Sequence, residues 1–369
     1  MRIFALLVGI NDYIPTVGAL RGAVNDVRHY QDFLTDRFSR DKLELQTLIN
    51  GEATRENIIH AFRDFLCRAG KHDVVLFQFA GHGARWKSAP EFTEFFPDGF
   101  DEGLICADSR TTSDAWDLAD KELALLIRDV ARNDAHVAVI LDCCHSGSGT
   151  RSANDVIRLK TRASHTIKVP RPLESYLENY YASQLESGGS MAPPTSRHML
   201  MAGCDRWGKA FESQDNHRGI FSQTLLEAIE RTGLDVCYAD LFMRVRSLVR
   251  KYAFGQNPQF ESYEGFNAYN GFLNRAALAA GRRVSLQYVD WEGWQIDRGV
   301  ANGIPADVSI KTELQIFSDE TSSEPLGTAR SVEVDLVKSK VEIDGDLELD
   351  RKLVYTAEIS SMPHPQLDV

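Results

Sequence analysis

Val74-Val75-Leu76-Phe77-Gln78-Phe79-Ala80-Gly81-His82-Gly83 and His136-Val137-Ala138-Val139-Ile140-Leu141-Asp142-Cys143-Cys144-His145-Ser146-Gly147 are the two stretches whose reading decides the fold. Each opens as a short, mostly apolar run of the kind that forms a buried strand, and each ends at a reactive side chain among small residues. In an open α/β sheet, ligands and chemistry collect at the carboxyl ends of the strands. A histidine on one such end and a cysteine on another would make a thiol nucleophile and its base.

Outward from these runs, apolar stretches at 3–8, 43–48, 74–79, 137–141 and 198–202 read as strands. Between them Ile58, Ile59, Phe62, Phe65 and Leu66 recur at helical spacing, with Thr54 placed to cap, and Ala119, Leu123, Leu126, Ile127 and Val130 do the same. This alternation predicts an α/β domain over 1–275, a mostly parallel sheet flanked by helices. Residues 148–197 break the rhythm. They are polar, carry Gly188-Gly189-Ser190 and Pro193-Pro194, and include Arg151, Arg158, Lys160, Arg162, Lys168 and Arg171. A structureless stretch of that length is expected to be functional or disordered. From about residue 280 the period changes to two, in Val284–Val289 and again at 308–310, 314–317, 332–337 and 353–355, with Asp344-Gly345 as a hairpin signal. A small all-β sandwich or barrel is expected over 280–369.

A net charge of −12 argues against a nucleic-acid footprint, which would be basic. Six cysteines, at 67, 106, 143, 144, 204 and 237, show no zinc-knuckle spacing and no disulfide framework, which fits reduced thiols and a cytoplasmic location. The apolar run from Phe4 to Ile10 is too short to span a membrane and has no cleavage-site signature, so no membrane association is expected.

Gly81-His82-Gly83 and Asp142-Cys143-Cys144-His145-Ser146-Gly147 resemble the histidine and cysteine boxes of metacaspases and their bacterial relatives, the caspase-like C14 peptidases. Leu7-Val8-Gly9-Ile10-Asn11-Asp12-Tyr13 is similar to the family's opening strand and turn, and Leu20-Arg21-Gly22-Ala23-Val24-Asn25-Asp26-Val27 to the start of its first helix. Leu200-Met201-Ala202-Gly203-Cys204, Ala210-Phe211-Glu212 and Gly219-Ile220-Phe221-Ser222 resemble its small-subunit region. Ala80 is a departure, standing where the family often has serine.

The resemblance implies a caspase-like fold and a cysteine endopeptidase that hydrolyses bonds after Arg or Lys in protein or peptide substrates. Cys144 would be the nucleophile, in preference to Cys143, and His82 the base, in preference to His145. Backbone N–H groups of Gly83 and Cys144 would form the oxyanion hole. Asp26 and Asp142 would line the pocket for a basic side chain, which two carboxylates can hold by charge-assisted bonds. The plainer reading has Asp26 capping the first helix and Asp142 anchoring the catalytic loop. The resemblance also implies that the 148–197 linker can be cut, with Arg151, Arg158, Lys160 and Arg162 as candidate sites. The chemistry needs no cofactor. Asp98, Asp101 and Glu102 around Gly99, with Asp108 beyond, could hold an activating calcium, or could simply order the loop. Two other classes compete: a caspase-fold scaffold binding a regulatory protein partner through its β-domain, and a thiol-redox protein using Cys143-Cys144, which lacks a Cys-x-x-Cys spacing.

Overall fold

The structure is a computed structural model that describes residues 1–143, 159–205, 208–234, 236–253, 255–274, 283–300, 304–306, 311–319, 322, 324–336, 338–345 and 347–361. In chain order it opens with β1 (Ile3–Gly9), α1 (Ala23–Arg37), β2 (Leu43–Ile49), α2 (Arg55–His60) and β3 (Val74–Ala80). A small antiparallel sheet of β4 (Gly83–Lys87), β5 (Phe100–Leu104) and β6 (Leu118–Ala119) leads into α3 (Asp120–Ala131) and β7 (His136–Asp142). Then come β8 (Leu159–Thr161), α4 (Tyr180–Glu186), β9 (His198–Ala202), β10 (Phe211–Ser213), β11 (Arg218–Gly219), α5 (Ile220–Thr232), α6 (Tyr238–Tyr252) and β12 (Gln259–Ser262).

The main sheet runs β12-β9-β7-β3-β1-β2, parallel except for β12 at its edge. The strands β1, β3 and β7 are buried at every position, which is why they read as continuous apolar runs. Their side chains alternate between two cores. Phe4, Leu6, Val8, Phe77 and Val139 face one, with Ile58, Phe62 and Leu126; Ile3, Ala5, Leu7, Leu76 and Ile140 face the other, with Tyr30, Leu225 and Val245. Thr54 caps α2 as expected, its hydroxyl accepting the N–H of Asn57.

The expectation of a structureless linker over 148–197 is corrected for the part from 159 onward. Leu173, Tyr176, Leu177, Tyr181 and Met191 join the first core, and Arg171 is buried, its guanidinium 2.8 Å from the equally buried Glu122. Polar composition concealed this, because the burial rests on ion pairs and tyrosines rather than on aliphatic periodicity. Residues 163–171 run alongside β4: Ser164 N–H donates to Gly83 O, Ile167 N–H to Arg85 O, and Arg171 N–H to Lys87 O.

The C-terminal region forms a closed barrel of β13 (Arg283–Val289), β14 (Gly293–Ile296), β15 (Glu313–Phe317), β16 (Gly327–Val334), β17 (Ser339–Ile343) and β18 (Tyr355–Ser361), in the order β13-β14-β17-β16-β15-β18. Of the two expected architectures, the barrel is the one formed. It has its own core of Val284, Leu286, Ile296, Leu314, Ile316 and Val341. Asp344-Gly345 ends β17 with a positive φ at Gly345 but joins no paired strands, since β17 pairs with β16 and β14. The expected strand at 308–310 lies outside the described residues.

Candidate active site

The parallel register pairs Ala80 at the end of β3 with Asp142 at the end of β7. His82 and Cys144 therefore each follow a matched strand end by two positions. Cys144 and His145 lie outside the described residues, as do Arg151 and Arg158.

His82 is 2% exposed and held from two sides. Its Nε2 lies 2.8 Å from Gly18 O, while its backbone N–H donates to Tyr13 Oη at 3.0 Å. The Tyr13 ring packs against the imidazole with centroids 5.0 Å apart, and its hydroxyl donates to Ile105 O. A carbonyl at Nε2 selects the tautomer with its proton there, leaving Nδ1 as the basic nitrogen. Nδ1 is buried and has no hydrogen-bond partner among the described residues. Burial pushes the imidazole down to about 4, helped by the positive charges of Lys160 and Arg162, so it is neutral and able to accept a proton at pH 7. Cys143, the neighbour in the cysteine box, is buried.

Asp26 and Asp142 converge, but not on an empty pocket. Arg162 is fully buried between them, with Nη2 2.6 Å from Asp26 Oδ2 and Nη1 3.1 Å from Asp142 Oδ2. Glu212 is the third acid, its Oε2 3.6 Å from Nη2. Each carboxylate is also held by backbone donors. Gly219 N–H donates to both oxygens of Asp26; Ser222 donates its N–H and Oγ–H to Asp142 Oδ2, at 2.9 and 2.7 Å. Ser222 lies in the first turn of α5, where unpaired N–H groups and the helix dipole favour a carboxylate. Gly219 has to be glycine, since a Cβ there would collide with Asp142 Oδ2 and Arg162 Nη1. The Arg162 guanidinium is shared by three acids and is held more firmly protonated than usual, while Arg218 Nε lies 3.6 Å from Asp26 Oδ1 as a second cation. Asp26 is the acid most easily protonated: burial and the nearby Asp142 push it up to about 7 against the pull of Arg162 and Arg218.

Asp26 does not cap the first helix: Gly22 occupies the cap position, and the Asp26 carboxylate points across to Gly219. Arg162, expected as a basic linker residue and a candidate processing site, is buried between these carboxylates. Its backbone is held as well as its side chain, with Gly83 N–H donating to Arg162 O at 3.1 Å. Upstream of it, β8 pairs antiparallel with β10, placing Lys160 opposite Glu212, and Lys160 Nζ donates to Ala19 O.

The acids considered for calcium do not assemble a site. Asp98 pairs with Arg85 at 2.5 Å; Asp101 pairs with the buried Lys121 at 2.7 Å and accepts the hydroxyl of Tyr176. Glu102, next on the same strand, points to the other face. Asp108 accepts the backbone N–H of Arg55. Among the described residues no group of three His, Cys, Asp or Glu could hold a metal ion. Protein cations occupy two of the oxygens a calcium would need.

Sequence reasoning did not find Glu212, Ser222, Tyr13 or Gly18 as parts of the site. The signal available for the first three was their place in family-like segments.

A mostly parallel sheet with helices on both faces is a caspase-like architecture. It is similar to the crystal structure of protein GSU0716 from Geobacter sulfurreducens, with a TM-score of 0.50 and 23% identity, over 71% of this chain and 93% of that one. The chain belongs to the C14 peptidase family, whose caspase-domain profile matches residues 2–266. Similar curated proteins include metacaspase-6 of Arabidopsis thaliana, 32% identical over 163 residues (43% of this chain), and metacaspase-1A of Aspergillus terreus, 29% identical over 150 residues (39% of this chain). The matches span 42% and 36% of those relatives' lengths. No helix of the described residues is long and apolar enough to cross a membrane.

Proposed function

We propose that this chain is a cysteine endopeptidase that hydrolyses peptide bonds after arginine or lysine, held latent by its own residues 159–164. The observation that supports this best is the treatment of Arg162. Its guanidinium lies among buried carboxylates, its carbonyl oxygen accepts the Gly83 N–H, and the strand before it pairs with β10. A protease specific for basic residues holds the residue before the scissile bond by the same three contacts: a side-chain pocket, an oxyanion donor and strand addition.

In the proposed chemistry His82 Nδ1 takes the thiol proton of Cys144, and the thiolate attacks the carbonyl carbon. The oxyanion is stabilised by the N–H of Gly83 and that of Cys144. Collapse breaks the C–N bond, the leaving amine takes the proton from His82, and water then hydrolyses the thioester to a carboxylate and a free thiol. Applied to the chain itself, the bond cut is Arg162–Ala163, which singles out Arg162 from the four candidate processing sites. Metal has no part in this scheme.

The test is hydrolysis of matched fluorogenic peptides ending in Arg, Lys or Asp, with calcium and with chelator. Cleavage of the Arg and Lys peptides, lost in Cys144→Ala and in His82→Ala, is expected, together with intact Asp peptide and equal rates under both conditions. Cleavage of the Asp peptide, or Arg cleavage that survives in Cys144→Ala, contradicts the proposal.

A further inference from the structure

Resting on that reading of the pocket, we infer that Glu212 is a specificity-determining residue that makes the pocket select arginine over lysine. Glu212 is 1% exposed, in the middle of β10. It was not among the expected pocket residues, and its carboxylate is aimed by the backbone: Oε1 accepts the N–H of Arg21 and Oε2 that of Gly22, each at 3.0 Å. Among the described residues, Arg162 is the one cation in ion-pair range of it.

The geometry distinguishes a fork from a point. Nη1 addresses Asp142, donating to its carbonyl at 3.2 Å and lying 3.1 Å from its carboxylate. Nη2 addresses Asp26 at 2.6 Å and Glu212 at 3.6 Å. A planar guanidinium presents donors at both ends of a rigid fork and can answer acids on two sides at once. An ammonium is one compact charge on a flexible stem. Drawn between Asp26 and Asp142, it leaves Glu212 buried without a cation, and an uncompensated buried charge is expensive. The walls allow little adjustment: a Cβ on Gly22 would come within 3.0 Å of both Arg162 Nη2 and Glu212 Oε2. The glycine lets the fork and the third carboxylate meet.

The test compares kcat/KM for two peptides that differ only in Arg or Lys before the scissile bond, using full-length enzyme. Wild type should favour Arg by about tenfold or more, the scale of one close, desolvated charge pair. Glu212→Gln should bring the ratio near one, through a higher KM for the Arg peptide, which loses a carboxylate partner, and a lower KM for the Lys peptide, which no longer leaves that carboxylate without a cation; Glu212→Asp should fall between. A purely structural role would lower both substrates together and leave the ratio. Equal wild-type rates for Arg and Lys, or an unchanged ratio in Glu212→Gln, overturns the assignment. If wild type cuts neither, the reading of the pocket fails, and this inference with it.

Discussion

Asp26 and His82 are both fully or almost fully buried and titrate in opposite senses, so their effects on stability can be separated by sign. Asp26 is pushed up to about 7 from an ordinary value of 3.8. Between those values the folded protein keeps a proton that the unfolded chain has released, so this group's contribution falls as pH rises. His82 is pushed down to about 4 from 6.5. There the unfolded chain binds the proton first, and stability rises with pH. From about 4 to 6.5 the two nearly cancel. Asp26→Asn removes one of them. The stability of wild type relative to this variant should fall by about 1.4 kcal/mol per pH unit across that window, measured by urea denaturation at several pH values. A difference that is flat, or rises with pH, contradicts the charge distribution drawn for the pocket.

At the scale of elements, β8 has three residues and three register pairs with β10, too little to hold itself in place. Arg162 anchors it. Arg162→Ala should release the segment, so that an unprocessed variant cleaves a small Arg peptide several-fold faster than unprocessed wild type. Stripping buried acids of their cation should also cost stability, about 3–5 kcal/mol. Initial rates and urea midpoints check both, and an unchanged rate would show that the segment does not block the pocket. The sequence offered Arg162 as one of four candidate cut sites and Asp26 and Asp142 as acids for a basic side chain, but the burial of Arg162 between them was not legible beforehand. The β3 and β7 runs were, because a strand apolar on both faces announces itself. β12 was not: Gln259–Ser262 is a short, half-buried antiparallel edge strand without an apolar run. The His82 and Asp142 ends could be read because glycine and histidine interrupt apolar runs. The meeting of Arg162 with Asp26 joins residues 136 positions apart, a contact that no local pattern encodes.

Over the whole molecule, the two faces of the main sheet and the interior of the barrel are separate apolar clusters. A small all-β sandwich or barrel was foreseen from period-two alternation, though β14 and β17 were not. The residues after Arg162 are bound into the first core by Arg171 against Glu122 and by Tyr176 against Asp101. A cut after Arg162 would therefore free the upstream strand while the downstream part stays packed, with β9 still between β7 and β12 in the main sheet. The most direct measurement is N-terminal sequencing of the full-length protein after incubation, run beside Cys144→Ala and followed by gel filtration under native conditions. The account predicts a new terminus at Ala163-Ser164-His165 in the wild type only, with both fragments eluting as one particle. A terminus following an acidic residue, the same cut in Cys144→Ala, an uncut wild-type chain, or fragments that separate without denaturant would contradict it.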